Sequence, residues 1–354
     1  MTLRLWTTLT LALLPALVCA ANDKGILFSH NDWEIACDNT RTCRAAGYSA
    51  ESDELSLSVL LTRNAGPNQA VSAQLMLGDY GDNPALKALP KKFALALIIN
   101  RKACGTVNID QDAGPVNLSQ EQTNALLNAL RGDSDITLKA GKYRWQLSDK
   151  GAAAVLLKMD EFQGRIGTTG ALYKKGSAPE DKVLPALPAP VIYAVAPVKS
   201  RPADERFVND HLKALRAALK TSMGKDGSCD ALDQAPTADM PLTATRLSAT
   251  QLLVSGRCWL AAYNEGNGYW VVEDKPPFRA TLVTTDGGDF SDSQISNMMK
   301  GRGLNDCNST ETWTWDGKQF AYSSFTTSGM CRLIAPGGAW DMPQLVSDIR
   351  PPKK

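Results

Sequence analysis

Two histidines and eight cysteines carry most of the reactive chemistry in this chain of 354 residues. His30 lies in Ser29-His30-Asn31-Asp32, where an imidazole beside a carboxylate has the residue types of a general base and its orienting acid. A histidine in such a polar stretch is ordinarily a loop residue in water, so the pair reads as part of a solvated loop. His211 stands among Asn209, Asp210 and Lys213 at helical spacing, and a solvated helix face accounts for it. The sequence has no Gly-x-Ser-x-Gly elbow, no phosphate-cradling glycine loop and no His-Glu-x-x-His zinc helix. The expectation is a non-catalytic protein without a cofactor, and the alternative is a cell-envelope hydrolase with His30 or His211 as base.

The cysteines point to a compartment. Met1 to Ala20 has one early cation, Arg4, then an apolar run from Leu5 to Val18, and ends Val18-Cys19-Ala20, the pattern of a signal peptide cleaved before Ala21. Val18 ahead of Cys19 disfavours lipidation there, which usually follows Gly, Ala or Ser. Export would leave Cys37, Cys43, Cys104, Cys229, Cys258, Cys307 and Cys331 in an oxidising, periplasmic setting, and an odd count leaves one thiol over. Nearest-partner pairing within each half gives Cys37 with Cys43, Cys229 with Cys258, and Cys307 with Cys331, with Cys104 free. No CxxC occurs and imidazoles are scarce, so zinc ligation is not expected. The acidic stretch Asp286-Gly287-Gly288-Asp289-Phe290-Ser291-Asp292 lacks the alternating ligands and closing Glu of a calcium loop and reads as a solvated turn.

Aromatic side chains crowd the second half: Trp259, Tyr263, Tyr269, Trp270, Phe278, Trp313, Trp315, Phe320, Tyr322 and Trp340. In β proteins such side chains mostly fill the core. Trp259, Tyr263, Asn264, Tyr269 and Trp270 flank the turn Asn264-Glu265-Gly266-Asn267-Gly268, and these five are the candidate binding residues for peptide, protein or glycan.

The net charge of +1 gives no basic surplus for phosphate neutralisation, so nucleic acid is excluded as a partner. Beyond the leader no apolar run reaches 18 residues, and the nearest, Lys91 to Ile99, is strand-length. About 334 residues would remain after cleavage, more than one core usually organises, which makes two domains the prior. Pro179, Pro185, Pro188, Pro190, Pro197 and Pro202 mark an extended linker over 179–203, with Val191 to Val195 apolar enough to join a sheet edge. The domains then span 21–178 and 204–354.

In the first, Trp33 to Ala36 and Arg44 to Ala46 form a hairpin that a disulfide crosses, and Leu55 to Leu61 and Phe93 to Ile99 are strands. One helix starts at Ser119 with Gln122 completing a capping box and ends at Gly132, and another runs from a Ser148 or Asp149 cap to Gly164. In the second, Asp204 to Met223 is a helix, and strands follow at 251–254, 257–263, 268–273 and 279–284. Thr310 to Trp315 and Lys318 to Tyr322 make a hairpin about Asp316-Gly317, which as a two-residue turn sets Trp313 opposite Phe320. The fold class is α+β and β-rich: antiparallel sheets with a few packed helices, stabilised by disulfides.

Several segments resemble one bacterial family. Asp32-Trp33 to Tyr48, Trp145 to Ala152, Gln163-Gly164-Arg165-Ile166-Gly167-Thr168, Cys258-Trp259 through Asn264, and Trp313 to Gly317 followed by Cys331-Arg332 are similar, in order, to domain-of-unknown-function family 1176. That resemblance implies a secreted protein with six characteristic cysteines and no established reaction. The first half also resembles, more faintly, the invasion-associated locus B domain, through a Trp and Cys near its start and Ser148 to Gly151 before a helix. This second likeness implies a periplasmic β-rich module.

Overall fold

The computed structural model describes residues 25–80, 83–225, 227–234 and 241–352. The leader expected over 1–20 lies outside them. In chain order the first half holds β1 (Ile26–His30), β2 (Trp33–Cys37), β3 (Cys43–Tyr48), β4 (Leu57–Arg63), β5 (Val71–Leu77) and α1 (Pro84–Ala88). It continues with β6 (Lys92–Ile99), β7 (Lys102–Asp110), β8 (Val116–Asn117), α2 (Gln120–Ala129), β9 (Ile136–Ala140), β10 (Tyr143–Leu147) and α3 (Ala152–Phe162). The second half holds β11 (Val191–Tyr193), α4 (Asp204–Ser222), α5 (Asp230–Asp233), β12 (Thr243–Arg246), β13 (Gln251–Leu260), β14 (Glu265–Glu273) and β15 (Ala280–Gly287). Last come β16 (Asp289–Ser291), β17 (Gln294–Lys300), β18 (Asn308–Trp315), β19 (Phe320–Thr327), β20 (Met342–Leu345) and β21 (Asp348–Arg350).

The protein is β-rich, and its sheets are antiparallel apart from one short parallel pair. A sheet of order β1-β2-β3-β4-β5-β8 and a second of order β10-β9-β6-β7 enclose the first core with α2 and α3. The sheet β12-β13-β14-β15 has period-two side chains that divide its residues between two cores. Leu252, Val254, Trp270 and Val272 pack beneath α4, whereas Leu253, Tyr269 and Val271 meet Ile295, Trp313 and Trp315 of the sheet β16-β17-β18-β19-β20. A fourth cluster draws from both halves, joining Ala36, Ala46, Tyr48 and Leu60 to Ile334, Ala339, Trp340 and Met342.

Cys37 and Cys43 sit directly opposite each other in the β2–β3 ladder, at the base of the hairpin. Cys229 with Cys258 and Cys307 with Cys331 also lie at disulfide distance, with Cα atoms 3.9 Å and 4.8 Å apart. The Ser119 hydroxyl accepts the Gln122 N–H while the Gln122 side chain accepts the Ser119 N–H, so α2 has its capping box.

Three local expectations need correcting. The helix α3 starts at Ala152, and Gly151 at φ +97° precedes it with no side-chain cap. The Asp149 carboxylate instead accepts the Ser134 N–H at 2.6 Å, and the Ser148 carbonyl accepts the Trp33 indole N–H at 2.7 Å. The strands expected at 251–254 and 257–263 are one strand with a bulge between Arg257 and Trp259. In the β18–β19 hairpin Trp315 faces Phe320 and Trp313 faces Tyr322, a register two residues from that of a two-residue turn. The Asp316 carboxylate accepts the N–H groups of both Lys318 and Gln319 at 2.8 Å, which holds a four-residue connection and moves Phe320 onto Trp315.

The proline-rich segment runs extended apart from one helical turn at Glu180–Lys182. Within it β11 pairs in parallel with β21, and the Val195 N–H donates to the Trp315 carbonyl at 2.9 Å.

Candidate functional site

The five candidate binding residues divide between core and surface. Trp270 is wholly buried and Tyr269 nearly so, its hydroxyl donating to the Gly288 carbonyl at 2.6 Å. The half-buried Trp259 lays its indole against Gly266 and donates to Asp286 at 2.9 Å. Only Tyr263 presents its ring to solvent, at 46 % exposure. The Asn264 side-chain amide donates to the Lys300 carbonyl and accepts the Lys300 N–H, both at 2.9 Å. It therefore ties the β13–β14 turn to the edge of β17 as a neighbouring strand would.

That tie defines a groove. The strand β16 covers β17 only from Gln294 to Ser296, and Asn264 covers it at Lys300. Met298 lies between them. In an antiparallel ladder alternate residues turn both backbone groups towards one neighbour, and Lys300 turns its pair away from β18 to Asn264. The Ser296 carbonyl likewise points away from β18 and accepts the Gly288 N–H at 2.8 Å. Met298, two residues from each, therefore aims its N–H and C=O outward at the open edge. The groove around it has a volume of about 450 Å³ and is lined by Tyr263, Glu265, Asp289, Met298, Lys300 and Glu311 among others. Its three carboxylates against one ammonium give it an acidic lining.

Met298, Glu265, Asp289, Lys300 and Glu311 were not singled out in the sequence. Only the structure marks them: along β17 the polar Asn297 is buried at 7 % exposure while the apolar Met298 stands 46 % exposed, the reverse of an ordinary half-buried strand.

The remaining candidates lie elsewhere. His30 is exposed at the end of the edge strand β1. His211 is on α4 with its ring against Phe207 and Phe278 at 5.3 Å and 4.8 Å. Among the described residues neither imidazole meets a carboxylate or a hydroxyl, so the fold does not bring them into a catalytic arrangement. Cys104, on β7, is half-buried and packs against the first core, with its Sγ 3.6 Å from the Lys102 carbonyl. One cluster of metal-ligating types occurs among the described residues, Asp306 with Cys307 and Cys331. Its two sulfurs are joined to each other, and Asp306 is engaged by Arg302 at 2.6 Å. The acidic stretch 286–292 is not the solvated turn expected but the end of β15 and the whole of β16, where Asp286 accepts from the Trp259 indole and Asp292 occupies the β16–β17 hairpin at φ +46°.

The segment Gln163-Gly164-Arg165 forms a buried lock. The Gln163 amide donates to the Arg41 and Arg63 carbonyls at 2.9 Å and 3.0 Å, and Arg165 pairs with Glu180 at 2.7 Å while donating to the Gly66 carbonyl. These residues fix the loop after α3 to the end of β4.

An antiparallel, disulfide-linked β protein with an open strand edge is the class defined by this fold. The chain belongs to the family described as protein of unknown function DUF1176, whose model matches residues 27–347. It is similar to the uncharacterized protein YpfG of Escherichia coli strain K12, at 26 % identity over 95 % of this chain and 97 % of the relative. No solved structure matches. The likeness to the invasion-associated locus B domain is not shown by these comparisons.

Proposed function

We propose that the protein is a non-catalytic binding factor of the bacterial envelope that takes an extended, cationic peptide segment at the open edge of β17. The carrying observation is the slot at Met298, bounded by β16 on one side and the Asn264 amide on the other. A peptide residue lying there would make with Met298 the same pair of hydrogen bonds that Asn264 makes with Lys300. Tyr263 offers rigid contact area beside it, and the surplus of carboxylates favours Lys or Arg side chains in the ligand. The cysteine pairs suit an oxidising compartment, and no helix among the described residues is long and apolar enough to cross a membrane. A signal peptide over 1–20 and a periplasmic location complete the reading.

Titration of the isotopically labelled protein with a Lys-containing hexapeptide library, followed by amide chemical shifts, tests it. Shifts confined to the neighbourhood of Tyr263, Met298 and Lys300, lost in Met298→Pro, are the expected outcome. Equal response to an acidic library, or shifts unaffected by Met298→Pro in a variant that melts like the native protein, would reject it.

A further inference from the structure

A second groove, of about 380 Å³, lies on the other half of the molecule, between β5, the side of α2 and the loop after α3. Among the described residues three cations line it, Arg63, Arg131 and Lys175, and no carboxylate does. Arg63 is 4 % exposed. Its Nε donates to the Gln69 carbonyl at 2.9 Å, but its buried Nη1 has no hydrogen-bond acceptor among the described residues. The nearest carboxylates, Asp160 at 3.8 Å and Glu180 at 3.7 Å, are committed elsewhere. The two oxygens of Asp160 accept the N–H groups of Leu172 and Tyr173, each at 2.8 Å. The two of Glu180 accept from Arg165 at 2.7 Å and from the Asn68 N–H at 2.5 Å.

Arg131 repeats the shortage. Its Nε donates to the Leu172 carbonyl at 2.7 Å, and its buried Nη2 has no acceptor. Among the described residues it forms no ion pair, and neither does the exposed Lys175. Within the buried set Arg63 and Arg165 balance Asp160 and Glu180, so Arg131 and Lys175 leave the groove with net positive charge. Buried guanidinium donors without acceptors are costly, and a cleft lined by one sign of charge concentrates counter-ions. The rim is of different chemistry. Gln120, Asn124 and Asn128 follow one another at four-residue spacing along α2 and line the same groove, so their amides stand in a row. Amides in a row beside cations suit hydroxyl groups next to an anion.

We propose that this groove is a binding site for an acidic saccharide, with a carboxylate or phosphate held by Arg131, Lys175 and Arg63 and the sugar hydroxyls by the amides of α2. The site is separate from the open edge of β17 and does not depend on it.

Calorimetric titration of the intact mature chain with glucuronate, glucose 6-phosphate and glucose at low ionic strength tests the assignment. At least one acidic sugar binds, and the preference between the two identifies the anion the site takes. Glucose binds at least about tenfold more weakly, and Arg131→Gln and Lys175→Gln each weaken the acidic sugar by about threefold to tenfold, the range for a lost charge-assisted contact. Tyr263→Ala leaves this binding unchanged. Failure of both acidic sugars to bind, equal binding of glucose, or full affinity in Lys175→Gln and in a folded Arg131→Gln would overturn it. Because Lys175 is exposed, its variant remains informative even if Arg131→Gln does not fold.

Discussion

The Tyr48 hydroxyl donates to the Glu34 carboxylate at 2.6 Å inside the first sheet, and the backbone N–H of Met330, 296 positions further along, donates to the same oxygen at 2.5 Å. A carboxylate in the first hairpin thus anchors the last third of the chain. Burial pushes the Glu34 carboxyl above its ordinary value, against the opposing hydrogen bonds from Tyr48 and Met330 and the charge of Arg332. A group raised in the folded state contributes stability that is full below its unfolded pKa and lost as pH rises through the folded one. Glu34→Gln removes that titration. Its melting temperature relative to the native protein should therefore climb as the pH rises above the ordinary glutamate value of about 4. A difference that stays flat or falls over this range, followed by differential scanning fluorimetry, would show that Glu34 titrates normally.

Arg246 performs a comparable task in the second half. Its guanidinium meets both oxygens of Asp204 at the start of α4 and reaches Asp274 at 2.7 Å, with Arg246 and Asp204 both buried. Arg246→Leu would leave the buried Asp204 without its ion pair, a change that costs about 3–5 kcal/mol for buried pairs, while Asp274 keeps Arg201 at 3.4 Å. The hydrogen bond from Arg246 leads the causes that hold Asp204 below its ordinary value, so its contribution exists above that value and disappears as acid protonates it. Hydrogen exchange in the first turns of α4 should accelerate in Arg246→Leu at neutral pH, and the gap between variant and native should narrow as the pH drops below about 4. Unchanged protection would mean that α4 is held by its apolar face alone.

Local signals in the sequence survived folding where one interaction dominates. Ser119 and Gln122 form a reciprocal cap within four residues, and the distant Thr106 and Cys104 carbonyls take only the Gln122 amide nitrogen, which leaves its oxygen to the cap. At Asp149 a distant partner won: its carboxylate bonds Ser134 on another segment, and α3 begins without it. At Asp316 the side chain itself outcompeted the tight turn that its type suggests. The contacts of Glu34 with Met330 and of Asn39 with Val346 have no local trace, because nothing in a window of ten residues specifies a partner some three hundred positions away. The candidate groove at Met298 was half legible for the same reason. Tyr263 and Asn264 announce themselves as turn residues, whereas Met298 acquires significance only when its neighbours on the sheet edge are known.

The cysteine pairs differ in the length of chain they close. Cys229 and Cys258 are 29 residues apart, and Cys37 and Cys43 only six. Chain entropy alone assigns roughly 3.5 kcal/mol to the longer loop and roughly 2 kcal/mol to the shorter. Replacing both cysteines of each pair by serine and measuring denaturant unfolding should give the larger loss for Cys229 and Cys258. Equal losses would place the effect in native packing, since Cys37 and Cys43 are as deeply buried as the strands around them.

Trp340 closes the outer face of the first sheet, its indole N–H donating to the Ser58 hydroxyl at 2.7 Å. We propose that residues 21–178 and 204–354 are domains, since the first core lies wholly in one and the core under α4 wholly in the other. The cluster around Trp340 is then the apolar coupling between them, because among the hydrophobic clusters of the described residues it alone takes buried side chains from both. Removing a buried tryptophan costs about 3–5 kcal/mol, as for large-to-small changes in other cores. If the coupling runs through this cluster, the native protein unfolds in one calorimetric transition and Trp340→Ala in two, the earlier one belonging to the less stable half. A single transition in the variant, merely shifted to lower temperature, would mean that the halves are joined by more than this face. The hydrogen bonds of Glu34 with Met330 and of Asn39 with Val346 would then be the next to remove.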